Sequence, residues 1–135
     1  MVKAVLFSVG LLLLLILSFL AIAISREQVS RPIRYELPPG YKGWVVVQFE
    51  DLSCPPPRTS GIYVEISISS SGRGCSPSPA SKGWTYYRPE YVHSDGRRVR
   101  APFRAISHNE EKKRDLIFIG TDEELNNSWA TAPWR

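Results

Sequence analysis

The sequence predicts an all-β domain, a small antiparallel β-sandwich of six or seven strands preceded by one N-terminal hydrophobic helix. Three observations predict it. Several short segments alternate apolar and polar residues, the period at which successive strand side chains point to opposite faces. Eleven prolines and nine glycines punctuate 135 residues, which favours turns over long helices. Finally, Ala4 to Ile24 is a run of 21 residues without a charge, and the natural solvent for such a run is lipid.

The apolar run carries two readings. Its length fits a retained, membrane-spanning signal-anchor, which needs about 18 or more apolar residues. Ala21-Ile22-Ala23 is also an A-x-A cleavage site of a signal peptide. Either way the remainder is expected outside the cytoplasm: single-pass and membrane-anchored if uncleaved, secreted or periplasmic if cut after Ala23. No cysteine follows the run directly, so a bacterial-type lipoprotein anchor is not expected. The chain divides into residues 1–24 as anchor or signal, 25–36 as a polar stalk, 37–125 as the sandwich and 126–135 as a flexible tail. From residue 24 on there are 16 basic against 13 acidic residues. That mild excess suits solubility and weak attraction to anionic surfaces, and it is too small for a nucleic-acid partner.

Individual elements follow from pattern. Trp44 to Glu50 reads as a strand with Val45, Val47 and Phe49 facing the core. In Gly61 to Ser69, Ile62, Val64, Ile66 and Ile68 alternate with Tyr63, Glu65, Ser67 and Ser69, so the register should be well specified, with Glu65 toward water. Ser70 to Ser81 reads as a loop. Trp84 to Tyr87 is an aromatic strand that Pro89 should end or place at an edge. Tyr91 to Phe103 reads as a hairpin about Asp95-Gly96, with Val99, Ala101 and Phe103 inward and Arg98, Arg100 and Arg104 outward. His108 to Arg114 reads as a charged loop or one helical turn. Leu116 to Ile119 is apolar on both faces and fits a central strand. Thr121 and Glu124 have the spacing of a capping box for a short helix over residues 122–126.

Leu37-Pro38-Pro39-Gly40-Tyr41-Lys42-Gly43-Trp44-Val45-Val46-Val47 resembles the P-x-G-Y-x-G-W-V-x-V opening signature of a family of small exported bacterial domains of unknown function. Pro55 to Pro57, Gly61 to Ile66, Gly83 to Tyr87 and Phe118 to Thr121 are similar to the segments that follow in that family. The resemblance spans about residues 35–125 and implies an exported small domain. It carries no activity.

Motifs that would announce chemistry are few. Cys54 and Cys75 are the only cysteines, and in an exported domain two cysteines are expected to pair. The loop after Ser69 must then double back to bring them within bonding reach. His93 and His108 lack the spacing of a zinc site, and no metal or cofactor is expected. There is no nucleophile elbow and no phosphate-cradling glycine loop. These absences point to a non-catalytic binding or structural module rather than an enzyme. The alternative is a module that binds glycans or anionic surfaces through Arg98, Arg100 and Arg104 with Tyr41, Trp84, Tyr86 and Tyr87. A small hydrolase built on a histidine is a third, weaker reading. The expected partners are the membrane, through residues 4–24, and a protein or glycan.

Overall fold

The computed structural model describes residues 13, 14, 16–18, 31–80 and 85–133. The anchor-or-signal segment lies mostly outside them, as do the Ala21 to Ala23 site, the start of the stalk and Trp84. Leu13, Leu14 and residues 16–18 are helical. Among the described residues no helix is long and apolar enough to cross a membrane.

Nine strands form two sheets among the described residues. They are β1 (Ile33–Leu37), β2 (Gly43–Gln48), β3 (Arg58–Ser60), β4 (Tyr63–Ser67), β5 (Arg73–Cys75), β6 (Tyr87–Val92), β7 (Arg98–Arg100), β8 (Phe103–Asn109) and β9 (Arg114–Ile119). Helix α1 (Asp122–Ser128) and a 3-10 turn (Trp129–Thr131) follow. One sheet has the order β3-β4-β1-β6-β7, the other β5-β2-β9-β8. Buried residues of both, including Ile33, Tyr35, Leu37, Val45, Val47, Ile66, Ile117 and Ile119, join in one core.

The all-β class holds, but the sheets are mixed rather than antiparallel. β1 runs parallel to both β4 and β6, and β2 runs parallel to β5. The cause is the path of the chain, which shuttles between sheets: β1, then β2, then β3-β4, then β5, then β6-β7, then β8-β9. Each return to a sheet places a new strand beside one laid down earlier. Alternation tells which face of a strand is buried, not which strand it will join.

Other expectations also change. The stalk was expected to reach Glu36, yet Ile33–Leu37 is the central strand of the larger sheet, with Ile33, Tyr35 and Leu37 in the core. Pro89 neither ends a strand nor sits at an edge: β6 runs through it, between β1 and β7. Ala101 N–H donates to the Pro89 carbonyl at 2.9 Å. The return bond that proline cannot give falls where β7 has already ended at Arg100. Residues 108 and 109 belong to β8 instead of a charged loop, and a tight turn closes with Lys113 N–H on the Glu110 carbonyl. The tail is not frayed at its start: Trp44 Nε1 donates to the Ser128 carbonyl, and Ala132 is buried. Ile62 and Val99 were placed inward and are exposed. The capping box forms as expected, with Thr121 and Glu124 each accepting from the other's backbone N–H.

The loop after β4 does double back. Gly72 N–H bonds to the Ser69 carbonyl, and Ser69 N–H to that of Arg73. This turn carries the chain across to β5, and Gly72 there has φ +76°. A Cβ at Gly72 would strike the Tyr41 hydroxyl and the Trp44 carbonyl, whereas Gly96, at φ +82°, faces open space. Gly96→Ala should therefore cost about 1 kcal/mol for the left-handed backbone alone. Gly72→Ala should cost roughly 2 kcal/mol more, for the clash. Urea unfolding of the two variants checks this, and equal midpoints would contradict the packing assigned to Gly72.

Candidate functional site

The deepest polar group lies between the sheets. Asp115, Ile117 and Ile119 share the inward face of β9, and the pairing sets Asp115 across from Val47 on one side and His108 on the other. Asp115 has no solvent exposure. Its Oδ2 accepts hydrogen bonds from the hydroxyls of Tyr35 and Tyr87, both at 3.1 Å, and its Oδ1 lies 2.6 Å from His108 Nδ1. A carboxylate only accepts, so Nδ1 carries the proton. Tyr35 and Tyr87 stack with ring centroids 5.8 Å apart. Burial, and then the Asp115 charge, push both phenols well above their ordinary range.

The arrangement is half of a hydrolytic triad, a histidine oriented by an aspartate. The other half is not with it. Among the described residues no serine, threonine or cysteine bonds to His108. The donors instead come from both sheets: Tyr35 and Tyr87 from the larger, His108 from the smaller. That makes Asp115 a clamp between layers. His93 stands apart in the β6-β7 turn, its backbone N–H on the Arg97 carbonyl. Among the described residues, no three His, Cys, Asp or Glu side chains converge as metal ligands.

A second polar cluster plates the outer face of the larger sheet. Arg34 on β1 lies across from Glu65 on β4 and Arg88 on β6, and Glu36 lies across from Ser67 and Glu90. Arg34 pairs with Glu65 at 2.7 Å and Glu90 at 3.2 Å. Arg98 reaches Glu36 at 2.6 Å and Glu65 at 3.3 Å, Arg88 reaches Glu90 at 2.5 Å, and Arg58 also bonds to Glu36. Glu65 was expected to face water. Its register is the expected one, yet it is buried, because arginine side chains lie over it. Burial alone would raise the Glu36 carboxyl; bonds from Arg98, Ser67 and Arg58 outweigh it and hold the pKa below its ordinary value.

The arginines singled out in the sequence do not share a face. Arg98 and Arg100 lie on β7 in the larger sheet, Arg104 on β8 in the smaller. Arg98 is engaged by the glutamates, Arg100 donates to the Tyr86 hydroxyl, and Arg104 pairs with Asp122 at 2.6 Å. The aromatics are dispersed as well. Tyr41 is half-buried with its hydroxyl on the Trp44 carbonyl, Tyr87 faces the core, and Tyr86 is exposed. Cys54 and Cys75 form a disulfide with their Cα atoms 6.0 Å apart. β5 pairs Cys75 with Gln48, beside the turn in which Cys54 N–H bonds to the Asp51 carbonyl.

Sequence reasoning missed Asp115 and the glutamate cluster, and it named His108 without its partner. One signal was present: Arg34 and Glu36 alternate with Ile33, Tyr35 and Leu37, the pattern of a strand with one charged face. Asp115 carried no such mark, since an aspartate before an apolar run resembles a strand end.

No protein-family model and no curated protein matches the sequence. Among solved structures, the fold is similar to one described as a "Putative Lipoprotein from Bacillus anthracis", with TM-score 0.56 and 13% identity. The match covers 78% of this chain and 79% of that one, and at this identity it shows the fold alone.

The clamp has a measurable consequence. Asp115→Asn should lower unfolding stability by about 3 kcal/mol, because it disrupts a buried pair and leaves donors mismatched. Tyr35→Phe should cost about 1.5 kcal/mol, the value of a hydrogen bond to a charged group. Because the two share one bond, the double variant should cost less than the sum. Raised phenol pKa values also set a pH dependence. Below the ordinary tyrosine pKa of 10.0 both states keep their protons; above it the unfolded chain releases protons that the folded state retains. Stability should therefore fall above pH 10, and less steeply in Tyr87→Phe. Urea titrations across that range test it, with a flat profile as the contrary result.

Proposed function

We propose that this chain is an exported, non-catalytic β-rich module, held at the outer face of a membrane by residues 4–24, whose work is binding or structural. The observation that carries this reading is the Cys54–Cys75 disulfide, a bond that persists in oxidising compartments and is rare in the cytosol. The uncharged run from Ala4 to Ile24 supports it. So does the likeness in fold to a protein described as a lipoprotein. Both cysteines of this chain are in the disulfide, and the apolar run is the proposed anchor. The P-x-G-Y-x-G-W-V-x-V opening supports a place among small exported bacterial domains. Among the described residues His108 bonds to Asp115 and to no nucleophile, and both cysteines are bonded, which favours a module over a hydrolase.

Mass spectrometry of the native protein from fractionated cells tests this. The expected result is a membrane-fraction protein of uncleaved mass, with the mass shift of one disulfide on reduction. A mature start at Ile24 would refute the anchor, and two free thiols in the native protein would refute the oxidising compartment.

A further inference from the structure

The two sheets differ in how their outer faces treat charge. On the larger sheet Arg34, Arg58, Arg88 and Arg98 are matched by Glu36, Glu65 and Glu90. Each of these four arginines has a carboxylate partner on that face, although four against three leaves one positive charge in excess. On the smaller sheet Arg73 of β5 and Arg114 of β9 have no carboxylate within ion-pair distance among the described residues. Arg114 Nε is shielded from solvent and has no acceptor there, although a buried donor without a partner is costly.

Both arginines line hollows that border this sheet. One, of about 610 Å³, is walled by Trp44, Trp129, Arg104, Asn109, Arg114 and Leu116. The other, of about 700 Å³, lies between this sheet and β4: it holds Arg73, Val46 and Gln48, takes in Arg58 and Glu65 of the larger sheet, and meets the first at Arg114; the Glu65 carboxylate there is already paired with Arg34 and Arg98. The pairing explains the adjacency: Arg114 lies across from Gln48, Gln48 from Cys75, and Val46 from Arg73. Trp44 packs edge-on against Phe118 and Trp129, with centroids 5.2 and 5.6 Å apart, and Trp129 is 42% exposed. The result is a trough with an indole wall at one end and two unmatched cations along its floor.

We propose that this trough binds an acidic sugar polymer. Arg73 and Arg114 would meet its carboxylate or phosphate groups, which guanidinium recognises with paired N–H donors. The Trp129 end would pack against the apolar face of a sugar ring, since indole offers a large surface with few torsions to freeze. Charge complementarity selects this occupant over a neutral chain. A hollow with an aromatic wall selects it over a flat anionic membrane. The proposal rests on the reading of the chain as a binding module and names the class of ligand for it. It moves the glycan site from Arg98, Arg100 and the tyrosines to the opposite sheet.

The test is titration calorimetry on the full chain in detergent. The probes are polygalacturonate for carboxylates, a glycerol-phosphate polymer for phosphates, and dextran as the neutral control. Binding to at least one acidic polymer is expected, weakening with added salt. Arg114→Ala should weaken it at least tenfold and Arg73→Ala/Arg114→Ala abolish it, with Arg100→Ala unchanged. If Arg114→Ala fails to fold, Arg114→Gln with Arg73→Ala reads the same effect. Equal affinity for dextran, equal loss in Arg100→Ala, or no binding to either acidic polymer overturns the proposal. So does binding only to phosphatidylglycerol vesicles. A protein that proves exported and disulfide-bonded but binds neither polymer overturns the sugar ligand and leaves the exported module standing.

Discussion

Asp115 has no contact with water, and its carboxylate must be satisfied inside the protein or not at all. Three donors satisfy it, from β1, β6 and β8. These strands belong to different sheets, so the requirement acts across the core rather than along a strand. Hydrophobic packing tolerates small slides of one sheet over another; hydrogen bonds to a fixed carboxylate do not. The clamp therefore sets the spacing and rotation of the layers. The core contacts of Tyr35, Val47 and Ile117 then fall into place around it. It also accounts for two tyrosines at positions where phenylalanine would fill the same space. Their rings fill the core, and their hydroxyls complete the polar cluster.

The charged plate on the larger sheet acts on a different problem. Buried ion pairs contribute little net stability, because desolvation offsets their attraction. Their better-attested use is to fix register. β1 needs such a device because it lies between two parallel partners, β4 and β6, whose alternation patterns resemble each other. Arg34 pairs with Glu65 of β4 and Glu90 of β6, while Glu36 pairs with Arg58 of β3 and Arg98 of β7. A slip of β4 by two residues would keep its apolar face buried and would place Glu65 across from Glu36. Alternation cannot forbid that slip, because the period is two; like charges brought together can.

What was legible in the sequence was local. Val45, Val47 and Phe49 declare their face, as do Ile66 and Ile68. The Asp95-Gly96 turn and the Thr121–Glu124 capping box are spelled by their residues. The disulfide followed from cysteine count and compartment. What was not legible was long-range. β1 looked like a stalk because Arg34 and Glu36 are charged, and their partners lie 31 residues away or more along the chain except for Arg58. Pro89 looked like a strand end because proline lacks one donor; it is tolerated centrally because β7 stops where that donor would be needed. Asp115 lies 80 residues from Tyr35, and no window of sequence joins them.

The same logic separates the two outer faces. A charge that serves the fold acquires a partner within the protein, because selection for a unique structure rewards each buried group that is satisfied. Arg34, Arg58, Arg88 and Arg98 meet that description. Arg114 does not: it is partly enclosed on a central strand, where a charged side chain incurs a desolvation cost, and no carboxylate of the described residues offsets it. A residue that breaks a local rule without compensation inside the fold marks the place to look for compensation outside it. By that criterion the smaller sheet, with cations unmatched among the described residues beside an indole wall, carries the proposed ligand site. The larger sheet, for all its arginines, is occupied with holding its own strands in order.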